Sequence, residues 1–502
     1  MQNATKNLPE IVFGSSNKAD SQRLSRLVKS QQLRKIAPRV YTSNFKDNDD
    51  IIVRRNIYQI LGKLFPKAVL SHRTALDGGA TPDGHIFLTF GYARKIKLPG
   101  FTVHLLKGPE ATTDDRQFLD GLYMSSIPRA YLENLQTSHE DSAARKTHPR
   151  EVLEGRLDQL CRIQGEESLN KLRDSARAIA DSLHMQTQFK KLNKLIGAIL
   201  RTRLVSELSS PVTRARSLGI PYDPERLIIF NRLFEELNQS KLPIRVSTLS
   251  QNEIQILAFF EAYFSNYIEG TEFEISEAYD IVFRQKIPAQ RPLDAHDILA
   301  TFRVVSDSAE MHKTPESFDH FLDLLKTRHH TILAARTDTA PGEFKQIPNR
   351  AGETHFVAPD LVKGTLLKGY EMYRAVDVGL ARAIFMMFLV AEVHPFVDGN
   401  GRMARIMMNA ELVKAGLYRI IVPTVYRDDY LTALRAASRS DKTKPIISVL
   451  DYAQLFTSQL PYSSYEIAEQ AWRACNAFKE PTEAKLLPPE LLNLAPKIVE
   501  QI

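Results

Sequence analysis

The twelve residues from His394 to Arg405, HPFVDGNGRMAR, combine side chains that suit phosphate chemistry. His394 has an unperturbed pKa of about 6.5, so it can accept a proton near neutral pH. Asp398 supplies a carboxylate oxygen, which Mg²⁺ typically uses together with phosphate oxygens. Packing alone does not require this mixture, and we predict a general base beside a metal-bound polyphosphate.

Two helices are predicted to flank this segment. The residue before a proline is pushed out of helical geometry, so the apolar helix over residues 380–393 should end at His394. A second helix is predicted from Met403 onwards, with Gly416 as its stop signal. The segment is therefore expected to be a loop that ends at a helix N-terminus.

The glycines and arginines of the segment suit an anion site at that N-terminus. Gly399 and Gly401 allow a tight turn and leave backbone amides uncovered. Uncovered amides and the positive end of the helix dipole favour a bound anion. Arg402 and Arg405 lie three residues apart, so they would share a helix face and grip further phosphates.

The segment matches the motif HxFx(D/E)GNGRxxR at every specified position and resembles the Fic family, over about residues 225–460 in the wider sense. The resemblance implies an all-helical core, Mg²⁺–ATP as substrate and transfer of AMP to a Ser, Thr or Tyr hydroxyl of a target protein. Doc-type relatives that phosphorylate carry Lys where this chain has Gly401, which favours nucleotidyl transfer. The implied roles are proton acceptor for His394, metal ligand for Asp398, α-phosphate cradle for Gly399, Asn400 and Gly401, and outer-phosphate contacts for Arg402 and Arg405.

The segment Thr339–Asp360 is rich in Gly and Pro with short apolar pieces, which predicts a β-hairpin. It resembles the Fic flap, which holds the target in extended form by strand addition. Lys345 stands where relatives more often have Arg, and an ordinary surface hairpin is the alternative. Further on, Tyr430 matches part of the family's adenine pocket, whereas Leu431 replaces a frequent aromatic residue. The predicted docking residues are Phe344, Ile347, Phe356 and Val357.

An inhibitory element is predicted upstream, in SNYIEGTEF (Ser265–Phe273). Ser265 and Glu269 are four residues apart and so face one side of a helix. With Gly270 they match the family's inhibitory motif (S/T)xxxE(G/N). A Glu269 carboxylate paired with Arg405 would occupy the place that the γ-phosphate needs. The alternative is a helix closed by Gly270, with Glu269 in solvent.

The first hundred residues carry the positive charge of the chain. They hold 17 Lys and Arg against 7 Asp and Glu, while residues 101–502 sum to −3. The segment Asp20–Ser43 reads as a helix followed by a short basic hairpin, and it resembles the winged-helix domains of abortive-infection antitoxins. Protein contacts or a basic surface kept for solubility are the alternatives. The predicted DNA-binding residues are Arg23, Arg26, Lys29, Arg34, Lys35 and Arg39.

The predicted fold class is mainly α: an all-helical Fic core with a β-hairpin flap, preceded by an α+β winged-helix module. A length of 502 residues suggests about three domains. The prolines of Ser209–Pro224 mark a boundary. The predicted divisions are a basic winged-helix domain over 1–110, a helical connector over 111–215, a Fic domain with its inhibitory helix over 216–470, and a tail over 471–502.

Other classes of protein are disfavoured. Cys161 and Cys475 cannot form a disulfide framework or a metal cluster on their own. The apolar run AIFMMFLVA is too short for a membrane span, and the N-terminus lacks the apolar core of a secretory signal. We therefore expect a cytoplasmic protein that does not bind membranes, with a homodimer left open.

The sequence thus predicts a self-inhibited protein adenylyltransferase that uses ATP and Mg²⁺ and acts on a target protein. One alternative is a DNA-binding regulator or antitoxin-like protein, in which residues 1–110 bind DNA and the Fic domain senses nucleotide. The other keeps the enzyme but changes the reaction to removal of AMP or transfer of another nucleotide.

Overall fold

The computed structural model describes residues 8–138 and 144–492. The chain divides into two compact units, Met1–Leu218 and Gly219–Ile502. The boundary predicted after residue 215 lies three residues from this division. Residues 1–110 and 111–215 share the first unit, so their division into two domains stays a prediction.

The first unit combines two sheets with a layer of helices. A three-stranded antiparallel sheet has the order β1-β3-β2, and a six-stranded mixed sheet has the order β6-β7-β5-β4-β9-β8. Its strands are β1 (Ile11–Phe13), β2 (Arg34–Ala37), β3 (Val40–Thr42), β4 (Val69–Leu70), β5 (His85–Phe90), β6 (Arg94–Leu98), β7 (Phe101–Lys107), β8 (Arg116–Gln117) and β9 (Tyr123–Met124). Its helices are α1 (Lys18–Lys29), α2 (Asp49–Leu64), α3 (His72–Asp77), α4 (Ile127–Asn134), α5 (Arg150–Gln164), α6 (Glu166–Ala180), α7 (Gln186–Ile199) and α8 (Pro211–Ser217).

Two hydrophobic clusters support the first unit. One joins α2 to the sheets within residues 11–122, and the other joins α4 to α7 within residues 131–208. A helix, α1, and a hairpin, β2–β3, occupy the segment predicted to hold a helix and a basic hairpin. Within residues 8–43 no second helix precedes the hairpin. Because a helix-turn-helix needs two helices, the winged-helix assignment stays a prediction.

The second unit is almost entirely helical. Its one named sheet in the described residues is the antiparallel hairpin β10–β11 (Arg350–Ala351 and Thr354–His355), inside the segment for which a hairpin was predicted. Its helices are α9 (Pro224–Gln239), α10 (Gln251–Ile268), α11 (Ile275–Arg284), α12 (Pro292–Ser306), α13 (Ser308–Met311), α14 (Phe318–Leu333), α15 (Val362–Tyr373), α16 (Leu380–Val393), α17 (Asn400–Lys414), α18 (Arg427–Ser440), α19 (Lys444–Ser458) and α20 (Tyr465–Ala474).

Helix α16 is the centre of the second unit. It carries the run AIFMMFLVA, is buried along nearly its whole length and packs against α9, α15, α17 and α19. A helix that is apolar all round is expected in the interior of a protein. Among the described residues, no helix combines the length and the apolar character that a bilayer crossing demands.

The connection between α16 and α17 agrees with the prediction at one end and differs at the other. Helix α16 ends at His394 as expected, and that residue leaves helical geometry in a left-handed conformation with φ +52°. Helix α17 begins at Asn400, three residues before the predicted start, because Gly399 caps it with φ +71°. The loop between the helices is therefore shorter than the sequence indicated.

The predicted tail over residues 471–502 begins inside a helix. Trp472 belongs to α20 and is fully buried in a second hydrophobic cluster of the unit, with Phe260, Phe264 and Phe456. Residues 471–474 therefore belong to the folded unit. Residues 493–502 lie outside the described residues.

We expect Phe388→Ala to lower the free energy of unfolding of the second unit by about 3–5 kcal/mol, because it leaves a cavity in the core. Phe388 is fully buried in α16 and meets Phe230 edge to face at 6.2 Å. Trp472 is the single tryptophan of the chain, so its fluorescence in a urea titration follows this unit alone. Ile228→Ala, at an exposed position of α9, is the matched control and should change stability by under about 0.5 kcal/mol.

Candidate active site

His394 is held as a neutral imidazole. Its Nδ1 lies 3.2 Å from the carbonyl oxygen of Ala391, and a carbonyl can only accept, so Nδ1 carries the proton and Nε2 keeps its lone pair. The ring stacks on Phe356, with centroids 3.6 Å apart and planes 7° apart. Burial, aided by the charge of Lys345, lowers the pKa of His394 to about 4 against the opposing hydrogen bond to Ala391. The ring is thus poised to accept a proton at Nε2.

Lys345 joins the segment before the hairpin to the loop that contains His394. Its side chain is buried, and its ammonium donates to Asn349 Oδ1 at 2.6 Å, while its backbone amide donates to the carbonyl of Pro395 at 2.9 Å. Asn349 Nδ2 in turn donates to the carbonyl of Phe396 at 2.9 Å. Burial lowers the pKa of Lys345 to about 8. These bonds fix the position of the loop relative to the hairpin.

Asn400 closes the loop onto itself. Its Oδ1 accepts from the backbone amide of Phe396 at 2.8 Å, and its Nδ2 donates to the carbonyl of the same residue at 2.9 Å. The side chain is buried, with both ends of its amide used inside the loop. The side chain of Asn400 therefore gives the loop its shape, and the predicted α-phosphate cradle of Gly399, Asn400 and Gly401 stays a prediction.

The start of α17 has the features of an anion site. The first amides of a helix have no intrahelical acceptor and lie at the positive end of its dipole. Gly399 caps the helix in a left-handed conformation, and a side-chain carbon at this position would lie 2.7 Å from Leu333 Cδ1. Only glycine therefore fits both the conformation and the space.

Asp398 stands beside these amides with its side chain half exposed. Its Oδ1 accepts from the amide of Gly399 at 2.7 Å, and its Oδ2 lies 3.7 Å from Arg402 NH2. Within the described ranges, no group of three or more His, Cys, Asp or Glu side chains could hold a metal ion by itself. An exposed carboxylate fits Mg²⁺ that takes its other ligands from substrate phosphates and water.

Glu269 and Ser265 hold Arg405, as the inhibitory pattern predicted. Arg405 NH2 lies 2.7 Å from Glu269 Oε1 and 2.8 Å from the carbonyl of Ser265, and its Nε donates to Ser265 Oγ at 3.0 Å. Burial alone would lower the pKa of Arg405, but the charge of Glu269 raises it overall. A side-chain carbon at residue 401 would lie 2.1 Å from Glu269 Oε1, so Gly401 leaves the room that this carboxylate occupies.

Arg402 makes a different set of contacts. Its NH1 donates to Asp297 Oδ2 at 2.8 Å and to Asn266 Oδ1 at 3.2 Å, and all three side chains are buried. The same Asp297 oxygen also accepts from Arg336 Nε at 2.8 Å. Both predicted phosphate-gripping arginines are therefore engaged inside the protein, Arg402 by Asp297 and Asn266 as Arg405 is by Glu269 and Ser265.

Tyr430, which was predicted to contribute to an adenine pocket, is buried in the core. It is fully buried, its hydroxyl lies 3.5 Å from Met387 Sδ, and it contacts Arg405. Leu431 is partly buried against the same core. Tyr430 is hydrogen-bonded to Arg405, and its predicted adenine contact stays a prediction.

The hairpin residues predicted to dock a target fall into two groups. Val357 is fully buried in the core and Phe344 packs on Phe396 with centroids 5.4 Å apart, so both side chains are engaged inside the unit and their docking roles stay predictions. Phe356 covers the ring of His394, and Ile347 is exposed. Of the four, Ile347 alone has a largely free side chain.

His329 is a residue of the site that sequence reasoning missed. Its Nδ1 accepts from the amide of Gly342 at 2.8 Å and its Nε2 lies 3.0 Å from the carbonyl of Asp398, so it bridges the segment before the hairpin and the loop. Its ring stacks on Phe396 at 3.7 Å, and burial lowers its pKa to about 4. As one of two adjacent histidines in α14, it gave no signal that separated it from a surface residue.

The basic residues predicted to bind DNA lie in the first unit, and most are exposed. Arg34 is the exception, since its guanidinium pairs with Asp49 and donates to the carbonyls of Asn44 and Asp47, both at 2.9 Å. It is engaged by its own loop, and its predicted DNA contact stays a prediction. The exposed residues are Arg23, Arg26 and Lys29 of α1, Lys35 of β2, and Arg39 of the turn that follows.

Three comparisons show which known proteins this chain is similar to. The family model described as "Fic/DOC family" matches residues 318–412. A Fido domain-containing protein from Dictyostelium discoideum is 30% identical over 129 residues, which cover 25% of this chain and 90% of that protein. A protein adenylyltransferase from Nematostella vectensis is 26% identical over 197 residues, and the chain spans only 44% of its length, with 37% of this chain covered. The solved structure of Fic-1 (residues 134–508) from C. elegans has a TM-score of 0.36 at 15% identity, covering 64% of this chain and 97% of that one.

Proposed function

This chain belongs to the Fic/DOC family, and we propose that it transfers AMP from ATP to a hydroxyl group of a target protein. The observation that carries the proposal is that a neutral His394, whose Nε2 has no hydrogen-bond partner among the described residues, lies five positions before Gly399, which caps a helix N-terminus. A proton acceptor and a phosphate seat are the two groups that this reaction needs from the protein.

In the proposed mechanism, the acceptor hydroxyl attacks the α-phosphorus while His394 Nε2 takes its proton. A new O–P bond forms, the bond to the β-phosphate breaks, and pyrophosphate leaves with its electron pair. The first amides of α17 hold the α-phosphate, where charge builds up in the transition state. A Mg²⁺ ion at Asp398 would neutralise phosphate charge. Ile347 and the hairpin β10–β11 offer the target an exposed side chain and strand.

The contact between Glu269 and Arg405 is proposed to inhibit this reaction. Arg405 is the guanidinium that can receive the outer phosphates, since a carboxylate and a phosphate accept the same arginine geometry. While Glu269 occupies it, ATP lacks that contact and binds in an unproductive pose. Glu269 lies at the end of α10, so it can leave without unfolding the helix. In relatives this glutamate can also support removal of AMP, which stays a second activity to test.

Mass spectrometry tests the proposed reaction directly. Glu269→Gly protein, incubated with ATP and Mg²⁺ in the presence of a cell lysate, should yield proteins that carry an added AMP. The same incubation with the Glu269→Gly, His394→Ala double variant should give none. Adducts of equal abundance with both proteins would show that His394 does not act in the transfer, and phosphate adducts would replace AMP transfer with phosphorylation.

The pH dependence follows from the neutral His394. Transfer needs the unprotonated ring, so the rate should be constant from about pH 7 to about pH 5 and fall as the pH drops through the ring's pKa of about 4. Glu269 raises and Lys345 lowers that pKa, so Lys345→Met should move the fall to higher pH. Trp472 fluorescence at each pH separates titration from unfolding. A fall centred near pH 6.5 in the Glu269→Gly protein would contradict the buried, neutral ring.

A second candidate function is DNA binding by the first unit. It is favoured by exposed basic residues on α1 and on the hairpin that follows it, namely Arg23, Arg26, Lys29, Lys35 and Arg39. Binding through phosphate contacts should weaken steeply with added salt. Salt-dependent DNA binding without AMP transfer by the Glu269→Gly protein would favour a regulator in which the family domain senses nucleotide.

A further inference from the structure

The two arginines of HPFVDGNGRMAR pair with carboxylates that differ in their exposure to solvent. Arg405 faces Glu269, whose side chain keeps 26% of its surface exposed at the end of a helix. Arg402 faces Asp297, which has no exposed surface and lies in the middle of α12. Glu269 can turn into water when it leaves its arginine. Asp297 cannot, because a buried carboxylate without its partners is strongly disfavoured.

Asp297 is shared by two cations from separate parts of the chain. Its Oδ2 accepts from Arg402 NH1 and from Arg336 Nε, both at 2.8 Å. Arg336 follows α14 at the start of the segment that leads to the hairpin, and its NH2 also donates to Asp294 Oδ1 at 2.7 Å. Buried Asp297 Oδ1 and Arg402 Nε have no hydrogen-bond partner among the described residues. Losing Arg402 would therefore leave this carboxylate with a single cation.

Resting on the proposed function, we infer that Asp297 is a positioning residue that holds Arg402 permanently, so that Arg402 shapes the catalytic loop and does not grip phosphate. Arg402 lies in the first turn of α17, and its NH2 is 3.7 Å from Asp398 Oδ2. The pair thus sets the direction of the helix start whose amides receive the α-phosphate. Arg405 alone exchanges a carboxylate for the outer phosphates of the nucleotide.

The same carboxylate links the loop to the hairpin segment. Arg402 fixes the helix start, and Arg336 fixes the chain that enters the hairpin, so Asp297 sets the distance between phosphate seat and target-docking strand. Asn266 of α10 also contacts Arg402, at 3.2 Å. This distance governs the alignment of the acceptor hydroxyl, which affects the chemical step more than nucleotide binding.

The test compares kcat and KM for ATP in the Glu269→Gly background. Asp297→Asn should lower kcat for AMP transfer at least about tenfold and change KM less than about threefold, because alignment and not nucleotide affinity is lost. Arg402→Gln should give the same pattern, and the double variant should lose no more than either single change. Asp294→Asn is the matched control: it removes the other carboxylate that pairs with Arg336, without touching Arg402.

Several outcomes would overturn the inference. A raised rate or a lower KM in Asp297→Asn would mean that Asp297 withholds Arg402 from the phosphates, and additive losses would mean that the two side chains act separately. If Asp297→Asn does not fold, Arg402→Gln still tests the inference. A KM for ATP raised more than about tenfold in that variant would identify Arg402 as a phosphate ligand.

Calorimetric titration separates this inference from the proposed function. ATP with Mg²⁺ is titrated into Glu269→Gly, His394→Ala protein, with and without Asp297→Asn, so that no turnover is needed. We expect dissociation constants within about threefold of each other, and Arg405→Gln should weaken binding more than about tenfold. If no AMP transfer occurs in any variant, the proposed function fails. Independently of that, a tenfold change in the dissociation constant for ATP caused by Asp297→Asn would count against the inference.

Discussion

Replacing Glu269 with glycine is expected to raise the initial rate of AMP transfer by about 30-fold or more. In the proposed inhibition, the Glu269 carboxylate and the outer phosphates compete for the guanidinium of Arg405. Only 6% of the Arg405 side chain is exposed, so it cannot bind both groups at once. Removing one partner of a buried charge pair is typically worth about 2 kcal/mol or more, which corresponds to about 30-fold in an equilibrium. The loss of Glu269 leaves the nucleotide as the natural partner of Arg405.

The measurement is the rate of labelled AMP incorporation at limiting ATP. Glu272→Gly is the matched control, because it removes an exposed carboxylate three residues further along and should leave the rate unchanged. Glu269→Gln separates charge from size, since an amide keeps the shape but attracts Arg405 less. Equal rates for the wild-type and Glu269→Gly proteins would show that this contact does not limit the reaction.

Gly401 and Glu269 depend on each other for space, because the carboxylate fills the room that the missing side chain leaves. A side-chain carbon at residue 401 would lie 2.1 Å from Glu269 Oε1 and 3.2 Å from Arg405 NH1, distances that no neighbour tolerates without moving. A lysine at this position, as in Doc-type relatives, would therefore displace the carboxylate. Gly401, which the resemblance links to nucleotidyl transfer, is also the residue that makes room for the contact between Glu269 and Arg405.

Local patterns predicted the parts of the site that lie within a few residues of one another. The proline after His394 and the glycines around Asn400 indicated a loop between two helices, and such a loop is present. The contact of Glu269 with Arg405 spans 136 positions, yet it was predicted, because the residue pattern of the inhibitory motif carries that information. A resemblance can therefore supply a long-range contact that spacing alone cannot.

Burial and internal hydrogen bonds engage several residues whose predicted roles stay untested. Val357 and Tyr430 stand in segments that match a flap and an adenine pocket, but the packing of the whole unit buries both. Asn400 has the chemistry of a ligand for phosphate, and its two amide ends are used by Phe396 instead. Whether a polar side chain can bind a ligand depends on whether other residues of the fold already use its hydrogen-bonding atoms. The residue type alone does not reveal those partners.

The contacts of Asp297 and His329 were beyond sequence reasoning for a related reason. Asp297 meets Arg402 across 105 positions, and His329 meets Asp398 across 69. Helical periodicity says which residues share a face of one helix, but not which face of another helix they meet. In the sequence, Asp297 and His329 cannot be distinguished from other polar residues on helices, because only the packing of the helices shows their contacts.

Replacing His394 with alanine in the Glu269→Gly background is expected to lower the rate of AMP transfer by about 100-fold to 10⁴-fold, the usual contribution of a positioned proton acceptor. Nucleotide affinity should change little, because the amides of α17 and Arg405 remain in place. Phe356→Ala is the informative companion variant, since Phe356 covers the ring at 3.6 Å without being able to exchange a proton. It should admit water, raise the pKa of His394 and move the acidic fall in rate to higher pH while retaining activity at pH 8.

The pair of variants distinguishes proton transfer from packing. If His394 only supported Phe356, both substitutions would lower the rate alike and neither would move the pH profile. If His394 is the base, only its own loss removes the chemical step, and a hydroxyl with a lower pKa should suffer less from that loss. Measuring His394→Ala with acceptor peptides that carry Tyr or Ser tests this point, because the phenol ionises at about pH 10 and the aliphatic hydroxyl far above it. A loss of equal size for both acceptors would argue that the ring orients the hydroxyl without taking its proton.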